Sequence, residues 1–106
     1  MNENTDPLSL FALDLFRGST ALVTGGGSGI GRRIALAFAR FGANVVIASR
    51  SEETLDAARE DIGAAGATCL AVPTNIRDTD GVDALLERTL ERFGTVEFLV
   101  NNAGGQ

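Results

Sequence analysis

The chain has 106 residues, of which 44% are hydrophobic and 22% are charged, and its formal net charge is −5. These values are typical of a globular protein with one domain at most, and the acidic balance disfavours a nucleic-acid partner. One cysteine and no histidine exclude an intrachain disulfide and a cysteine-based metal site. No apolar run approaches the length of a membrane span, so we expect a soluble, cytoplasmic protein without a membrane partner.

Residues 1–16 are predicted to form an N-terminal extension that precedes a domain over residues 17–106. The first seven residues are polar. Residues 8–16 are apolar, but Ser9 and Asp14 interrupt the run and no Lys or Arg precedes it. This segment therefore lacks the charge pattern of a secretory signal.

Four β-rich apolar runs alternate with three helical patterns along the rest of the chain. The predicted strands cover residues 20–23, 45–48, 68–72 and 97–100. The predicted helices cover residues 29–41, residues 51–62 with a frayed end through 66, and residues 78–93. This alternation predicts right-handed βαβ crossovers and a parallel sheet.

Apolar spacing predicts which face of each helix is buried. The expected inward residues are Ile30, Ile34, Ala37, Phe38 and Phe41 in the first helix, Leu55, Ala58 and Ile62 in the second, and Val82, Leu85, Leu86 and Phe93 in the third. Gly42 and Gly94 follow the first and third helices, where a left-handed residue is favoured.

A glycine-rich loop, TGGGSGIG at residues 24–31, joins the first predicted strand to the first predicted helix. Glycines at 25, 29 and 31 permit a tight turn, a close approach of a phosphate to the backbone, and close helix packing. The start of a helix near Gly29 suits a pyrophosphate. All nine cations are arginines, so the Gly-Lys-Ser/Thr of a P-loop is absent. The pattern predicts a nucleotide site at the carboxyl ends of the strands.

Over residues 17–106 the chain resembles the short-chain dehydrogenase/reductase family. Two motifs carry the resemblance: Thr24-Gly25-x-x-x-Gly29-x-Gly31 after the first strand and Asn101-Asn102-Ala103-Gly104 after the fourth. The family implies an NAD(P)-dependent oxidoreductase and an α/β fold, a Rossmann-type parallel sheet with flanking helices. It also implies the strand order 3-2-1-4, so residues 17–106 are expected to form an incomplete half-domain truncated after the fourth strand.

The resemblance also implies a set of cofactor-binding positions, in which the second motif borders the nicotinamide end. These positions are Thr24, Gly25, Ser28, Gly29, Ile30, Gly31, Ser49, Arg50, Asn75, Ile76, Asn102, Ala103 and Gly104.

Two pairs of these positions suggest how the cofactor is chosen and held. Members that prefer NAD usually carry an acid near Ser49, whereas here Arg50 follows a serine. A guanidinium fits a 2′-phosphate in bidentate fashion, so NADP is favoured over NAD, unless Arg50 is simply a solvated cation. Asn75 and Ile76 occupy the positions that contact adenine, and Asn75 has a donor and an acceptor for it. The alternative for Asn75 is an Asx turn.

Within the family the chain is similar to the trans-2-enoyl-CoA and 2,4-dienoyl-CoA reductase group. The similarity rests on VVIASR at residues 45–50, NIR at 75–77 and NNAGGQ at 101–106. It implies a small-molecule substrate, with an acyl-CoA thioester as a candidate, and a homo-oligomeric full-length parent.

The family's catalytic groups, Ser with Tyr-x-x-x-Lys, have no counterpart because the chain contains neither Tyr nor Lys. We assign no catalytic residue and expect the 106 residues alone to be inactive and poorly stable, with strand 97–100 as an apolar edge. One alternative is a non-catalytic dinucleotide-sensing module. Another is a different nucleotide- or methyl-donor-binding α/β fold, which the Asn-Asn-Ala-Gly motif disfavours.

Overall fold

The computed structural model describes residues 15–102, which form a four-stranded parallel sheet flanked by helices. The elements in chain order are β1 (Thr20–Thr24), α1 (Gly29–Arg40), β2 (Asn44–Ser49), α2 (Glu52–Ala64), β3 (Cys69–Pro73), α3 (Thr79–Phe93) and β4 (Phe98–Asn101). The sheet order is β3-β2-β1-β4, and all three strand pairs are parallel. The predicted alternation and strand order are confirmed.

The core lies on both faces of β1 and β2. On one face, Val23, Val45 and Ile47 pack with buried residues of α1 and α2. On the other face, Leu22 and Val46 pack with Val72 of β3 and Leu85 of α3, so α1 and α2 cover one face and α3 the other. Burying each large aliphatic side chain contributes about 1.5–3 kcal/mol, which explains why both strands read as continuous apolar runs.

Helix α2 agrees with its predicted start and inward face. The Ser51 hydroxyl accepts a hydrogen bond from Thr54 N at 3.4 Å and caps the helix. Leu55, Ala58 and Ile62 are at most 1% exposed.

The predicted inward face of α1 is wrong in part. Ile30 is 68% exposed and Ala37 is also exposed, whereas Gly31, Ala35 and Ala39 are buried. These three small residues recur every four positions, so they share one face and let the helix approach β1 and β2 closely. Larger apolar residues on the same helix, such as Phe38, are displaced to its flanks.

Helix α3 confirms the predicted inward face in part. Leu85 and Thr89 are buried, and the Thr89 hydroxyl donates to Leu85 O at 2.8 Å, which satisfies it inside the core. Val82 and Phe93 are half-buried, and Leu86 is exposed. The helix ends at Gly94 with a φ of 78°, and α1 is followed by Gly42 with a φ of 95°, so both predicted glycine stops are confirmed.

Strand β4 pairs with β1 along one side and has no strand partner on its other side among residues 15–102. Leu99 at the middle of this strand is 67% exposed, and Leu90 of α3 is 50% exposed. The predicted apolar edge is thus present in the described residues, and an open strand edge beside apolar side chains favours association with another surface.

A cluster of four phenylalanines ties the segment before β1 to the body of the domain. The Phe16 ring lies 5.2 Å from that of Phe38, 5.8 Å from that of Phe41 and 4.9 Å from that of Phe98. Phe16 N also donates to Phe41 O at 2.8 Å. The last residue of the predicted N-terminal extension therefore packs on the domain, while residues 1–14 of that extension lie outside the described residues.

The cysteine is part of the apolar packing of the domain. Cys69 begins β3 and packs against the core cluster that α1 and α2 share. Burial raises the pKa of its thiol to about 11, against a smaller opposite effect of the Arg59 charge. The thiol is therefore protonated at neutral pH and a weak nucleophile.

Candidate functional site

The carboxyl edge of the sheet carries a pocket of about 330 Å³. Three segments form it: the loop after β1, the residues after β2 and the residues after β3. The lining residues are Gly25, Ser28, Ala48, Ser49, Arg50, Ser51, Thr54, Thr74, Asn75, Ile76 and Arg77. Six of the predicted site residues thus meet in one pocket: Gly25, Ser28, Ser49, Arg50, Asn75 and Ile76.

The glycine loop is fixed to β2 by packing as well as by its turn. Gly25 has a φ of 69°, and its N–H donates to Ala48 O at 2.7 Å. A Cβ on Gly26 would lie 2.6 Å from Ile47 Cγ2, and one on Gly27 would lie 3.0 Å from Thr54 Oγ1. Gly26 is therefore required for close packing, whereas a Cβ at Gly27 would need Thr54 to shift by a few tenths of an ångström. The motif spacing did not predict either contact.

The start of α1 is open towards the same edge. Gly29 has a φ of 59°, and a Cβ there would meet no atom within 4 Å. Ser28 is the N-cap residue, yet its side chain makes no capping hydrogen bond. The first N–H groups of a helix have no intrahelical partner, so those at Gly29 and Ile30 are available to an anion.

The two sequence motifs meet at Thr24 and Gly31. Thr24 Oγ1 donates to Asn101 Oδ1 at 3.0 Å and accepts from Asn102 N at 3.1 Å. A Cβ on Gly31 would lie 2.1 Å from Gly25 O and 2.7 Å from Asn102 Nδ2. These contacts join β1, α1 and β4, so Thr24 and Gly31 hold the loop in place.

Five of the predicted positions do not line the pocket, namely Thr24, Gly29, Ile30, Gly31 and Asn102, although all of them lie at its edge of the sheet. Ala103 and Gly104 lie outside the described residues. The assignment of all these positions to a cofactor stays a prediction.

The pocket is cationic although the chain is acidic. Its lining contains two arginines and no Asp or Glu, whereas the chain has 14 acidic residues. Both guanidiniums are free of ion pairs within residues 15–102, where the ion pairs join Arg32 to Asp61 and Arg59 to Asp56. An anionic ligand suits such a pocket.

The Asn75 side chain forms the Asx turn that was the alternative to adenine recognition. Its Oδ1 accepts from Arg77 N at 3.0 Å, and its backbone oxygen accepts from Asp78 N at 3.0 Å. The amide nitrogen of Asn75 has no hydrogen-bond partner among the described residues, so it remains a donor for a ligand.

The end of β2 carries no acid. Ser49 Oγ accepts from Ser51 N at 3.2 Å, and Ser49 O accepts from Thr74 N at 2.7 Å. Arg50 follows in an exposed position. Sequence reasoning found Arg50 but not Arg77, whose signal was a cation two residues after Asn75.

The residues fit a phosphate-bearing dinucleotide and give no sign of a metal centre. Within residues 15–102 no group of three or more His, Cys, Asp or Glu could hold a metal ion. No helix in that same part of the chain is long and apolar enough to cross a membrane. A parallel sheet of order 3-2-1-4, with a glycine loop leading into a helix at its carboxyl edge, defines a dinucleotide-binding α/β fold.

Comparison with known sequences identifies the family. The pattern of the short chain dehydrogenase family matches residues 19–106, and the chain belongs to this family. It is 45% identical over 97 residues to a peroxisomal 2,4-dienoyl-CoA reductase of Pongo abelii, covering 91% of this chain and 33% of the relative. The chain spans about a third of the length of the 2,4-dienoyl-CoA reductases it matches.

Solved structures of the family share the fold. A metagenomic short-chain oxidoreductase in complex with NADP has a TM-score of 0.80 at 36% identity, covering 84% of this chain and 40% of that one. An NAD⁺-bound xylitol dehydrogenase has a TM-score of 0.82 at 29% identity, covering 84% of this chain and 34% of that one. Similar folds thus hold either dinucleotide, and the family alone does not decide between them.

Proposed function

We propose that this chain is the cofactor-binding part of an NADP(H)-dependent short-chain oxidoreductase. The observation that carries the proposal is the pocket at the carboxyl edge, which brings Arg50 beside the glycine loop and contains no carboxylate. An acid at the end of β2 would hold the ribose hydroxyls of NAD and repel a 2′-phosphate, whereas a guanidinium attracts it.

In this proposal, different residues bind different parts of the dinucleotide. The open N–H groups at Gly29 and Ile30 bind the pyrophosphate, with the helix dipole adding to the attraction. Arg50 binds the phosphate on the adenosine ribose, and Asn75 with Ile76 borders the adenine. When bound, NADP(H) supplies the hydride acceptor or donor for the reaction.

We further propose that the substrate is an enoyl-CoA or a related carbonyl or alcohol compound. Support comes from the similarity to a protein named as a 2,4-dienoyl-CoA reductase, which extends over 91% of this chain. A thioester of coenzyme A conjugated to a double bond is therefore the first compound to assay. We also expect the full-length protein to form a homo-oligomer.

Replacing Arg50 by alanine should weaken NADPH binding by roughly 10- to 150-fold and leave NADH binding nearly unchanged, because one charge-assisted contact to the 2′-phosphate is lost. The exposure of Arg50 favours the lower figure. Titration of the full-length protein with each dinucleotide measures the effect. Arg40→Ala is the matched control, since Arg40 is exposed in the last turn of α1, away from the pocket. Equal losses for NADPH and NADH would contradict the assignment.

A polypeptide of these 106 residues alone should not transfer hydride to a substrate. Reduction requires a proton donor beside the reacting carbon, and the chain has no Tyr or Lys to serve in that role. NADPH oxidation in the presence of a 2,4-dienoyl-CoA should stay at the background rate. Turnover above background would show that other side chains supply the proton.

A further inference from the structure

The segment after β3 brings a second guanidinium into the pocket. We propose that Arg77 binds the 2′-phosphate of NADP(H) together with Arg50, and that Asn75 is the positioning residue that holds Arg77 in place. The inference rests on the proposed function, and it assigns a role to a residue for which the resemblance implied none.

The two arginines come from neighbouring strands whose ends are joined. Strands β2 and β3 pair in parallel with Ser49 opposite Pro73, and Thr74 N donates to Ser49 O at 2.7 Å just beyond that pair. Arg50 follows the first strand directly, and Arg77 follows the second after a short turn. Both line the same pocket, so they approach one ligand from two sides.

The backbone of Arg77 is fixed before any ligand binds. Its N–H donates to Asn75 Oδ1 at 3.0 Å, and the next residue, Asp78, donates to Asn75 O at 3.0 Å. Asp78 then caps α3 by accepting from Asp80 N at 3.1 Å. Because the turn and the cap set the backbone on both sides of Arg77, binding needs to order the side chain alone, which lowers its entropic cost.

The two charges suit an anion of more than one unit. Like charges that line one pocket without a carboxylate repel each other, and a dianion bound between them attracts both. A phosphate monoester carries nearly two negative charges at neutral pH and offers several oxygens, so two guanidiniums can bind it at once. The pyrophosphate, in contrast, belongs at the start of α1.

Two compounds of the proposed reaction carry such a group on an adenosine ribose. NADP(H) has it on the 2′-oxygen, and coenzyme A has it on the 3′-oxygen. The pocket favours the 2′-phosphate of the dinucleotide, since it is bordered by the glycine loop and by the end of β2, where the adenosine ribose of a bound dinucleotide lies.

The test measures binding to the full-length protein, with and without the Arg77 guanidinium. Arg77→Ala should weaken NADPH binding by about tenfold and change NADH binding by less than twofold. Arg77→Lys should restore part of the NADPH affinity because it keeps the charge but not the bidentate geometry. Arg40→Ala should change neither. Should thermal melting show Arg77→Ala to be unfolded, Arg77→Gln removes the charge with a longer side chain.

Adenosine 2′,5′-bisphosphate and adenosine 3′,5′-bisphosphate separate the two sources of the phosphate. We expect Arg77→Ala to weaken the 2′,5′ compound by the same factor as NADPH. A loss confined to the 3′,5′ compound would overturn the proposal in favour of a coenzyme A site. An unchanged NADPH affinity, or equal losses for NADPH and NADH, would also overturn it. If the unmodified protein bound neither dinucleotide, the proposed function itself would fail.

Asn75→Ala tests the positioning role separately. Without the acceptor for Arg77 N, NADPH affinity should fall by more than NADH affinity, and this difference should be smaller than in Arg77→Ala. The adenine contact proposed for Asn75 is common to both dinucleotides, so equal losses for the two would remove the positioning role of Asn75 from the proposal.

Discussion

Replacement of Gly31 by alanine is expected to lower the free energy of unfolding by about 3 kcal/mol or more. The added Cβ would lie 2.1 Å from Gly25 O and 2.7 Å from Asn102 Nδ2, and the first of these is a backbone atom that cannot rotate away. Relief requires α1 to move off β1, which also breaks the link to β4. Denaturant unfolding of the full-length protein and its Gly31→Ala variant measures the loss.

Gly63→Ala is the matched control for that substitution. Gly63 lies in the last turn of α2, and a Cβ there would meet nothing within 4 Å. Alanine is favoured over glycine by about 0.8–1.0 kcal/mol in a helix interior and by less in the last turn, so this variant should be at least as stable as the parent. Equal stabilities for Gly31→Ala and the parent would mean that the contact of α1 with the glycine loop is not as close as the structure has it.

Gly29→Val should abolish dinucleotide binding, with a loss of affinity above about 100-fold, which corresponds to about 2.7 kcal/mol. The space beside Gly29 is empty of protein atoms within 4 Å, so the valine side chain would occupy the room proposed for the pyrophosphate. Titration with NADPH and with NADH should show the same loss, because both dinucleotides carry that group.

The backbone strain that Gly29→Val introduces needs its own control. Gly29 has a φ of 59°, and a β-branched residue is unfavourable in that conformation. Gly66 has a φ of 94° and equally open surroundings, but it follows α2 and lies away from the pocket. Gly66→Val should therefore lower stability and leave affinity intact. A folded Gly29→Val protein with unchanged affinity would sink the placement of the pyrophosphate.

Much of the fold could be predicted because its signals are local. The apolar run of β2 has no alternation, a pattern typical of a strand covered on both faces, and its residues 45–48 are fully buried. The cap at Ser51 and the spacing of Leu55, Ala58 and Ile62 gave the start and inward face of α2. Because a helix connects each strand to the next and such crossovers are right-handed, only a few parallel strand orders were possible.

The inward face of α1 could not be predicted from hydrophobicity. Ile30 is the more apolar residue, but the position that touches the sheet is Gly31, because the glycine loop brings the helix too close for a side chain. Gly26 and Gly27 show the same effect against Ile47 and Thr54. Contacts of this kind depend on how far apart two backbones finally lie, and residue types alone do not specify that distance.

Parts of the candidate site could not be predicted from the sequence for a related reason. Arg50 could be found because it directly follows a strand. Arg77 lies four residues beyond β3, so its position depends on the Asx turn at Asn75 and on how the ends of β2 and β3 are joined. The sequence permits several turns at this point, and the turn that forms determines whether the Arg77 side chain lies along the surface or lines the pocket.

The hydroxyl of Thr24 connects the glycine loop to the segment that follows β4. One oxygen atom donates to Asn101 and accepts from Asn102, which lie 77 and 78 positions later in the chain. That atom, together with the pairing of β1 with β4, fixes the distance between the loop proposed for the pyrophosphate and the segment proposed for the nicotinamide end. Under that proposal a dinucleotide must match a separation that the protein sets in advance, so its length is selected as well as its charge.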